Sequence, residues 1–306
     1  MITAEEKERY SRQLLIPEWG EEAQEKLKAA KVLIIGAGGL GSPASLYLTA
    51  GGVGTIGIVD GDAVDRSNLQ RQILHGTGNL GQPKVESAAE TLRDLNPNVE
   101  IIPIHRMVTR ENIGELIEDY DFILDATDNY HTKFLINDGC VEKGKPYSHA
   151  GILGLNGQLM TYVPGKGPCY RCIFGEEPKP GEAPTAKEGG VIGPIAGIVG
   201  SFQAAEAMKY ITGVGRLLTG KMLTFDLLTG RIREVPLPDA NPECTACGSR
   251  RKGYRLCLKT LNAMWNTFLG RALRRLLPTT EFPFCPCTGF GVWITGLLGR
   301  FLMSGR

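Results

Sequence analysis

Lys31-Val-Leu-Ile-Ile35-Gly36-Ala-Gly-Gly-Leu-Gly41 is the stretch on which the fold turns. Five residues suited to a buried strand run straight into glycines at 36, 38, 39 and 41, and a helical pattern opens near Leu40. In a strand–turn–helix of this kind Gly36 allows the tight turn, Gly38 lets a phosphate approach the backbone, and Gly41 lets the helix pack closely. The unpaired N–H groups at the helix N-terminus then face an anion. Asp60, 24 residues beyond Gly36, follows a second strand, Thr55 to Val59, where a carboxylate is placed to take ribose hydroxyls. By itself this pattern fits NAD or FAD as well as ATP.

Strand and helix signals alternate outward from that turn. A helix is predicted from Pro83 to about Leu95, a strand near Val99 to Ile104, a helix near Glu111 to Ile117, and a strand from Phe122 to Ala126. A helix from Asn129 to about Lys143 leads to a short strand, Pro146 to His149. Repeated βα units imply an α/β, Rossmann-like, mostly parallel sheet with ligands at the carboxyl ends of its strands, where Asp60 and Asp128 fall. From Gly157 the pattern changes to an antiparallel extension: a strand from Gln158 to Val163, a Gly- and Pro-rich stretch to Pro194, an apolar helix from about Ile195 to Ile211, and strands near Leu223 to Asp226 and Ile232 to Val235.

With 306 residues, 42% hydrophobic and 22% charged, the chain is an ordinary globular protein, which excludes disordered and fibrous classes. Its start is charged and lacks a signal peptide's apolar region, and no apolar run approaches the roughly 18 residues of a membrane span, so a cytoplasmic enzyme is expected. The net charge of +1 hides an asymmetry. Residues 249–306 hold ten Lys or Arg against one acid, giving +9, and residues 1–248 carry −8. The mildly acidic body argues against nucleic-acid binding. A domain over 1–248 and a basic extension over 249–306 are therefore expected.

Cys169-Tyr-Arg-Cys172 and Cys244-Thr-Ala-Cys247 are two C-x-x-C pairs whose four thiolates would close a tetrahedral, structural Zn²⁺ site. A redox C-x-x-C and unbound thiols are the alternatives, and disulfides suit a reducing cytosol less well. Seventy-one residues separate the pairs, so such a metal would clip two distant loops and, with four sulfurs, keep no open position for catalysis.

Charged blocks separate redox chemistry from ATP chemistry. Arg9-Tyr-Ser-Arg12-Gln13 precedes the first strand, Asn68-Leu-Gln-Arg71-Gln72 follows the second, Gly81-Gln-Pro-Lys84 opens a helix, and Asp125-Ala-Thr-Asp128-Asn129 ends a later strand. Arg71, Lys84 and Arg12 would surround a triphosphate with Asp128 holding Mg²⁺, which is more charge than a hydride-transfer site needs. Plainer readings exist for each. Arg9 and Arg12 fit solvated positions on an amphipathic helix. Lys84 fits a first helical turn, although a cation there meets an unfavourable dipole. Asp128 fits a helix N-cap. Asp125 is the weaker carboxylate of the two. His75, His105, His131 and His149 show no ligand-like spacing and are read as structural, and Cys140 as a buried apolar residue.

Together these blocks, the glycine turn and both C-x-x-C pairs resemble the E1-like adenylyltransferases of the ThiF, MoeB and HesA family, over about residues 1–248. The molybdopterin-synthase adenylyltransferase branch is the most similar. The resemblance implies ATP-dependent adenylation of the C-terminal Gly-Gly carboxylate of a ubiquitin-like sulfur-carrier protein, with release of pyrophosphate, for molybdopterin or thiamine biosynthesis. It implies that Gly36, Gly38, Gly39 and Gly41 form the nucleotide turn, that Asp60 binds ribose, and that Asn68, Arg71, Gln72 and Lys84 face the phosphates. Asp128 would orient Mg²⁺, and Arg12 would act across a homodimer interface as an arginine finger. A tRNA threonylcarbamoyladenosine dehydratase-like enzyme and an NAD-binding oxidoreductase are the competing readings. The acidic body and paired cysteines count against the first, and the phosphate-side cations against the second.

One position departs from the family. Members that form a covalent link to the carrier have a cysteine before a Glu-Ala-Gly-Val segment; here the stretch is Thr185-Ala186-Lys187-Glu188-Gly189-Gly190-Val191, with Ala186 where the thiol would fall. This excludes a thioester at that position, and the reaction is expected to stop at the acyl-adenylate. In the basic extension, Leu258, Leu261, Trp265, Phe268, Ala272 and Leu276 recur at helical spacing with Arg271, Arg274 and Arg275 nearby. That pattern fits a membrane-surface or partner-docking helix, a helix packed on the body, a poorly ordered extension, or a shifted reading frame.

Overall fold

Val32, Leu33, Ile34 and Ile35 are all buried, and the reason is the two-residue period of a strand: Val32 and Ile34 point to one face of the sheet, Leu33 and Ile35 to the other. A strand covered on both sides needs an unbroken apolar run, which this segment and Thr55–Val59 supply. The computed structural model describes residues 1–179, 182 and 186–248. The expected C-terminal helix, its basic cluster and its membrane contact lie outside the described residues, as do Thr185 and the side chain of Ala186.

Strands β1 (Lys31–Ile35), β2 (Thr55–Val59), β3 (Glu100–Ile104), β4 (Phe122–Asp125), β5 (Tyr147–Leu153), β6 (Asn156–Tyr162), β7 (Lys221–Asp226) and β8 (Arg231–Pro236) form one sheet in the order β3-β2-β1-β4-β5-β6-β7-β8. From β3 through β5 the pairing is parallel, and from β5 onward it is antiparallel. The helices are α1 (Ala4–Arg9), α2 (Ser11–Leu14), α3 (Gly20–Ala29), α4 (Gly41–Gly51), α5 (Lys84–Leu95), α6 (Ile113–Glu118), α7 (Tyr130–Lys143), α8 (Tyr170–Phe174), α9 (Ala186–Gly189) and α10 (Gly193–Thr212). Leu27, Leu48, Leu92 and Val199 of α3, α4, α5 and α10 cover one face of the sheet together with Val32, Ile34, Ile56 and Leu124. Ile113, Ile117, Ile136 and Cys140 of α6 and α7 cover the other with Leu33, Ile35 and Ile123. Each such side chain contributes about 1.5–3 kcal/mol when fully buried. Met1–Cys247 forms one compact unit.

The mostly parallel sheet with its antiparallel extension is the architecture expected from the sequence. The bounds of the expected elements agree to within two residues except at the end of β5. β5 continues past His149 to Leu153, because its first half pairs with β4 while its whole length pairs with β6. Helix α6 starts at Ile113 rather than Glu111, because the Asn112 side chain accepts from the Thr109 amide at 2.8 Å and holds a turn ahead of the helix. Among the described residues no helix is long and apolar enough to cross a membrane.

Candidate active site: a nucleotide cleft and a four-thiol cluster

The glycine turn at the carboxyl end of β1 opens onto a cleft of about 510 Å³. Gly36 has φ +105°, and a Cβ there would lie 2.7 Å from the Ala126 carbonyl oxygen, so no side chain fits. Gly41 faces the Gly36 carbonyl oxygen too closely for a Cβ and opens α4, whose Ser42 amide donates back to the Gly38 carbonyl at 2.9 Å and closes the turn. Asp60 fastens the loop: its Oδ2 accepts from the Ala37 amide and its Oδ1 from the Asp62 amide, each at 2.8 Å. From behind, the buried His75 bridges the Ala37 carbonyl and Ser87 Oγ, both at 2.9 Å. Burial holds the His75 pKa below its ordinary value despite the Ala37 carbonyl, so the brace is neutral.

Gly36, Gly38, Gly39, Asp60 and Asp128 border the cleft, and so do Arg71, Gln72 and Lys84. The Arg71 stem lies over Gly39, where a Cβ would come within 3.4 Å of it, and its guanidinium donates to the Ser67 carbonyl at 3.2 Å. Lys84 is buried at the start of α5, and its Nζ meets Asp62 Oδ2 at 2.9 Å. Gln72 is buried with its amide oxygen unpartnered among the described residues. Asp128 is exposed on the loop between β4 and α7. It is not the helix cap: Asn129 accepts from the Thr132 amide at 2.9 Å and takes that role.

Three expected site residues stand apart. Gly41 shapes the turn without bordering the cleft. Asn68 sits in the 3-10 turn Arg66–Asn68, where its backbone carbonyl accepts from the Arg71 and Gln72 amides, so it supports from outside the loop that carries those two residues. Arg12 is exposed on α2 and does not line the cleft.

A buried group forms part of the wall and joins Asp125, the weaker carboxylate candidate of the sequence, to His149, which the sequence marked as structural. Asp125, with no exposed surface, accepts from His149 Nδ1 at 2.9 Å and from Thr127 Oγ1 at 2.7 Å, and Lys133 Nζ lies 3.2 Å from its Oδ2. Burial would raise the Asp125 pKa, but the Lys133 cation, with His149 and Thr127, holds it down at about 2. Lys133 and His149 border the cleft. The one sequence signal was an acid closing an otherwise apolar strand, Phe-Ile-Leu-Asp.

The Cys169, Cys172, Cys244 and Cys247 sulfurs all lie within 4.8 Å of one another. A tetrahedral site with metal–sulfur bonds of about 2.3 Å requires sulfurs about 3.8 Å apart. Separations of 3.9 Å for Cys169–Cys172, 3.7 Å for Cys169–Cys244 and 3.3 Å for Cys172–Cys247 fit that donor set. The Asn241 amide adds a donor to the Cys172 sulfur at 3.4 Å. Cys140 is buried apart from this cluster, and desolvation pushes its thiol far up, as for an inert apolar residue.

The ThiF family profile matches residues 10–246. The chain is 47% identical over 240 residues to the adenylyltransferase and sulfurtransferase MOCS3-1 of Zea mays, covering 78% of this chain and 51% of that protein. It is 44% identical over 247 residues to the SAMP-activating enzyme E1 of Haloferax volcanii, covering 81% and 91%. The chain thus spans about half the length of the MOCS3 relatives it matches. Among solved structures, Escherichia coli MccB with ATP superposes with a TM-score of 0.70 at 26% identity, over 78% of this chain and 73% of that one. By sequence and by fold, the chain belongs to the ThiF family.

Proposed function

We propose that this chain is an ATP-dependent adenylyltransferase that activates the C-terminal Gly-Gly carboxylate of a ubiquitin-like sulfur carrier, for molybdopterin, thiamine or a related thiolation route. The observation that carries the reading is the pairing of Arg71 and buried Lys84 around a glycine turn that Asp60 fastens, within one cleft. The names of the maize and Haloferax relatives support it.

The attacking carboxylate is ionised at neutral pH, its pKa being roughly 3.5, so the site needs no general base. The difficulty is bringing an anion against a triphosphate and stabilising the charge that leaves on pyrophosphate, which calls for fixed cations and alignment. Arg71, Gln72 and Lys84 serve the phosphates, and Asp60 takes the ribose. Asp128, an exposed carboxylate at the rim, is the hard oxygen donor for Mg²⁺. When bound, that ion neutralises phosphate charge. Arg12, exposed and outside its own cleft, suits a finger reaching the cleft of a second copy in a homodimer, where its planar fork binds phosphate oxygens in pairs. The cysteine cluster takes a structural Zn²⁺, whose four sulfurs leave no catalytic position, and a reducing cytoplasm suits such thiolates. Residues 1–248 constitute the catalytic domain, and residues 249–306 a separate extension. Ala186 leaves no thiol for a thioester, so the reaction ends at the acyl-adenylate.

ATP–pyrophosphate exchange that depends on an added carrier ending in Gly-Gly is the direct test. Exchange lost in Arg71→Ala and in Lys84→Ala is expected. Binding of NAD in place of ATP would overturn the proposal.

A further inference from the structure

Behind the glycine turn, β4 and β5 place two ionisable residues side by side: Asp125 is the register partner of His149. His149 Nδ1 lies 2.9 Å from Asp125 Oδ2, and Lys133 Nζ holds the same carboxylate while donating to the Ala150 carbonyl at 2.6 Å. An ionised carboxylate has no proton to give, so Nδ1 carries the hydrogen and Nε2 presents a lone pair. His149 is 1% exposed and borders the cleft, and its Nε2 meets no donor among the described residues. Burial holds the ring's pKa down against the pull of Asp125, so it stays neutral near pH 7 and Nε2 remains an acceptor. Tyr170 packs with its ring centre 4.5 Å from the imidazole and limits its rotation. A desolvated acceptor of this kind is unfavourable until a donor reaches it.

The chemistry of the two reactants decides which brings the donor. At neutral pH ATP carries N–H and O–H groups only on its base and ribose. With the ribose at Asp60, those hydroxyls sit at the end of β2. In the order β2-β1-β4-β5 that is three strand spacings from His149, roughly 14 Å at about 4.8 Å per spacing. The base is joined to the ribose at C1′ and the triphosphate at C5′, so with the ribose at Asp60 the base extends away from the cations that would hold the phosphates. The terminal carboxylate of the second substrate only accepts. What remains is a peptide N–H of its extended tail.

On the adenylation reading above, we propose that His149 Nε2 accepts a hydrogen bond from the last peptide N–H of the incoming tail. Asp125 and His149 are then a positioning pair that sets the terminal carboxylate for attack, and the site selects tails whose final backbone amide is unsubstituted.

The test uses a ubiquitin-like carrier domain completed by ligation with either glycine or N-methylglycine as its last residue, assayed by ATP–pyrophosphate exchange with the full chain. In the wild type, N-methylation lowers kcat/KM for the carrier roughly tenfold and leaves KM for ATP unchanged. His149→Ala loses a similar factor with the glycine tail, and N-methylation then adds no more than about twofold, because both changes remove one interaction. His149→Gln, which fills the space and carries an acceptor oxygen, regains part of the rate and part of the sensitivity to methylation. Losses that multiply as independent factors, a wild type indifferent to methylation, or a fall carried by KM for ATP would each overturn the assignment. No exchange with the glycine tail would instead overturn the adenylation reading, and this assignment with it.

Discussion

Replacing Lys133 by Met should destabilise the protein more than any change to a surface ion pair. Lys133 is 6% exposed and Asp125 is fully buried, so the substitution keeps the packing volume but strands a carboxylate away from water with only His149 and Thr127 as donors. Breaking a buried pair by removing one partner costs about 3–5 kcal/mol. At about 2–4 °C per kcal/mol for a unit of this size, the melting temperature should fall by roughly 6–20 °C. The pH dependence supplies a second readout. The Asp125 pKa is depressed from 3.8 to about 2. Its contribution to stability, about 2 kcal/mol, is therefore present above pH ~4 and disappears as pH falls through about 2. Urea unfolding followed by far-UV circular dichroism should show the wild-type midpoint declining over that interval and the Lys133→Met deficit narrowing with it. Adding Asp125→Asn to Lys133→Met removes the stranded charge and should recover part of the loss. A Lys133→Met deficit below about 1 kcal/mol, or one that does not change between pH 5 and 2, would refute the reasoning.

Three further outcomes are expected. Gly36→Ala should abolish ATP binding in titration calorimetry, since its Cβ would lie 2.7 Å from the Ala126 carbonyl oxygen at a φ of +105°, whereas Gly38→Ala, with 3.5 Å to the Gln72 amide nitrogen, should retain binding; equal behaviour of the two would contradict the turn's geometry. Elemental analysis of the purified chain should find one zinc per chain, lost with a lowered melting temperature in Cys172→Ser plus Cys247→Ser, and full stability without metal would remove zinc from the account. Arg12→Ala and Asp128→Ala should each be inactive alone, yet their mixture should regain about a quarter of wild-type exchange as random pairing of subunits brings one intact site together; no recovery on mixing would end the idea of a finger acting in trans.

Much of the scaffold was legible because burial on both faces leaves a plain signature. β1 and β2 end where their apolar runs do, at Ile35 and Val59. β5 was underestimated because its second half, from Ala150 to Leu153, owes its extended form to pairing with β6, a partner that local pattern does not reveal. The helix start after β4 offered two capping residue types in succession, Asp128 and Asn129, and only the backbone geometry shows that Asn129 takes the cap and leaves Asp128 free for the cleft rim. Asp60, Arg71 and Lys84 could be picked out because each lies close in sequence to a recognisable turn or helix start. The Asp125–Lys133–His149 group could not, since its members come from two strands and a helix that meet only once the sheet has assembled. Asn68 shows the converse: its neighbours Arg71 and Gln72 border the cleft, yet the intervening turn keeps Asn68 itself outside.

The four sulfurs carry a consequence for how the protein is made. Cys169 and Cys172 leave the ribosome long before Cys244 and Cys247, yet Tyr170, between the first two, forms part of the cleft wall and abuts His149. Until the second pair emerges, the wall that Tyr170 forms lacks the two sulfurs that gather around its neighbours Cys169 and Cys172. Truncation anywhere between β8 and Cys247 leaves that wall without its clasp, so the last residues translated in this unit determine when the binding surface is complete.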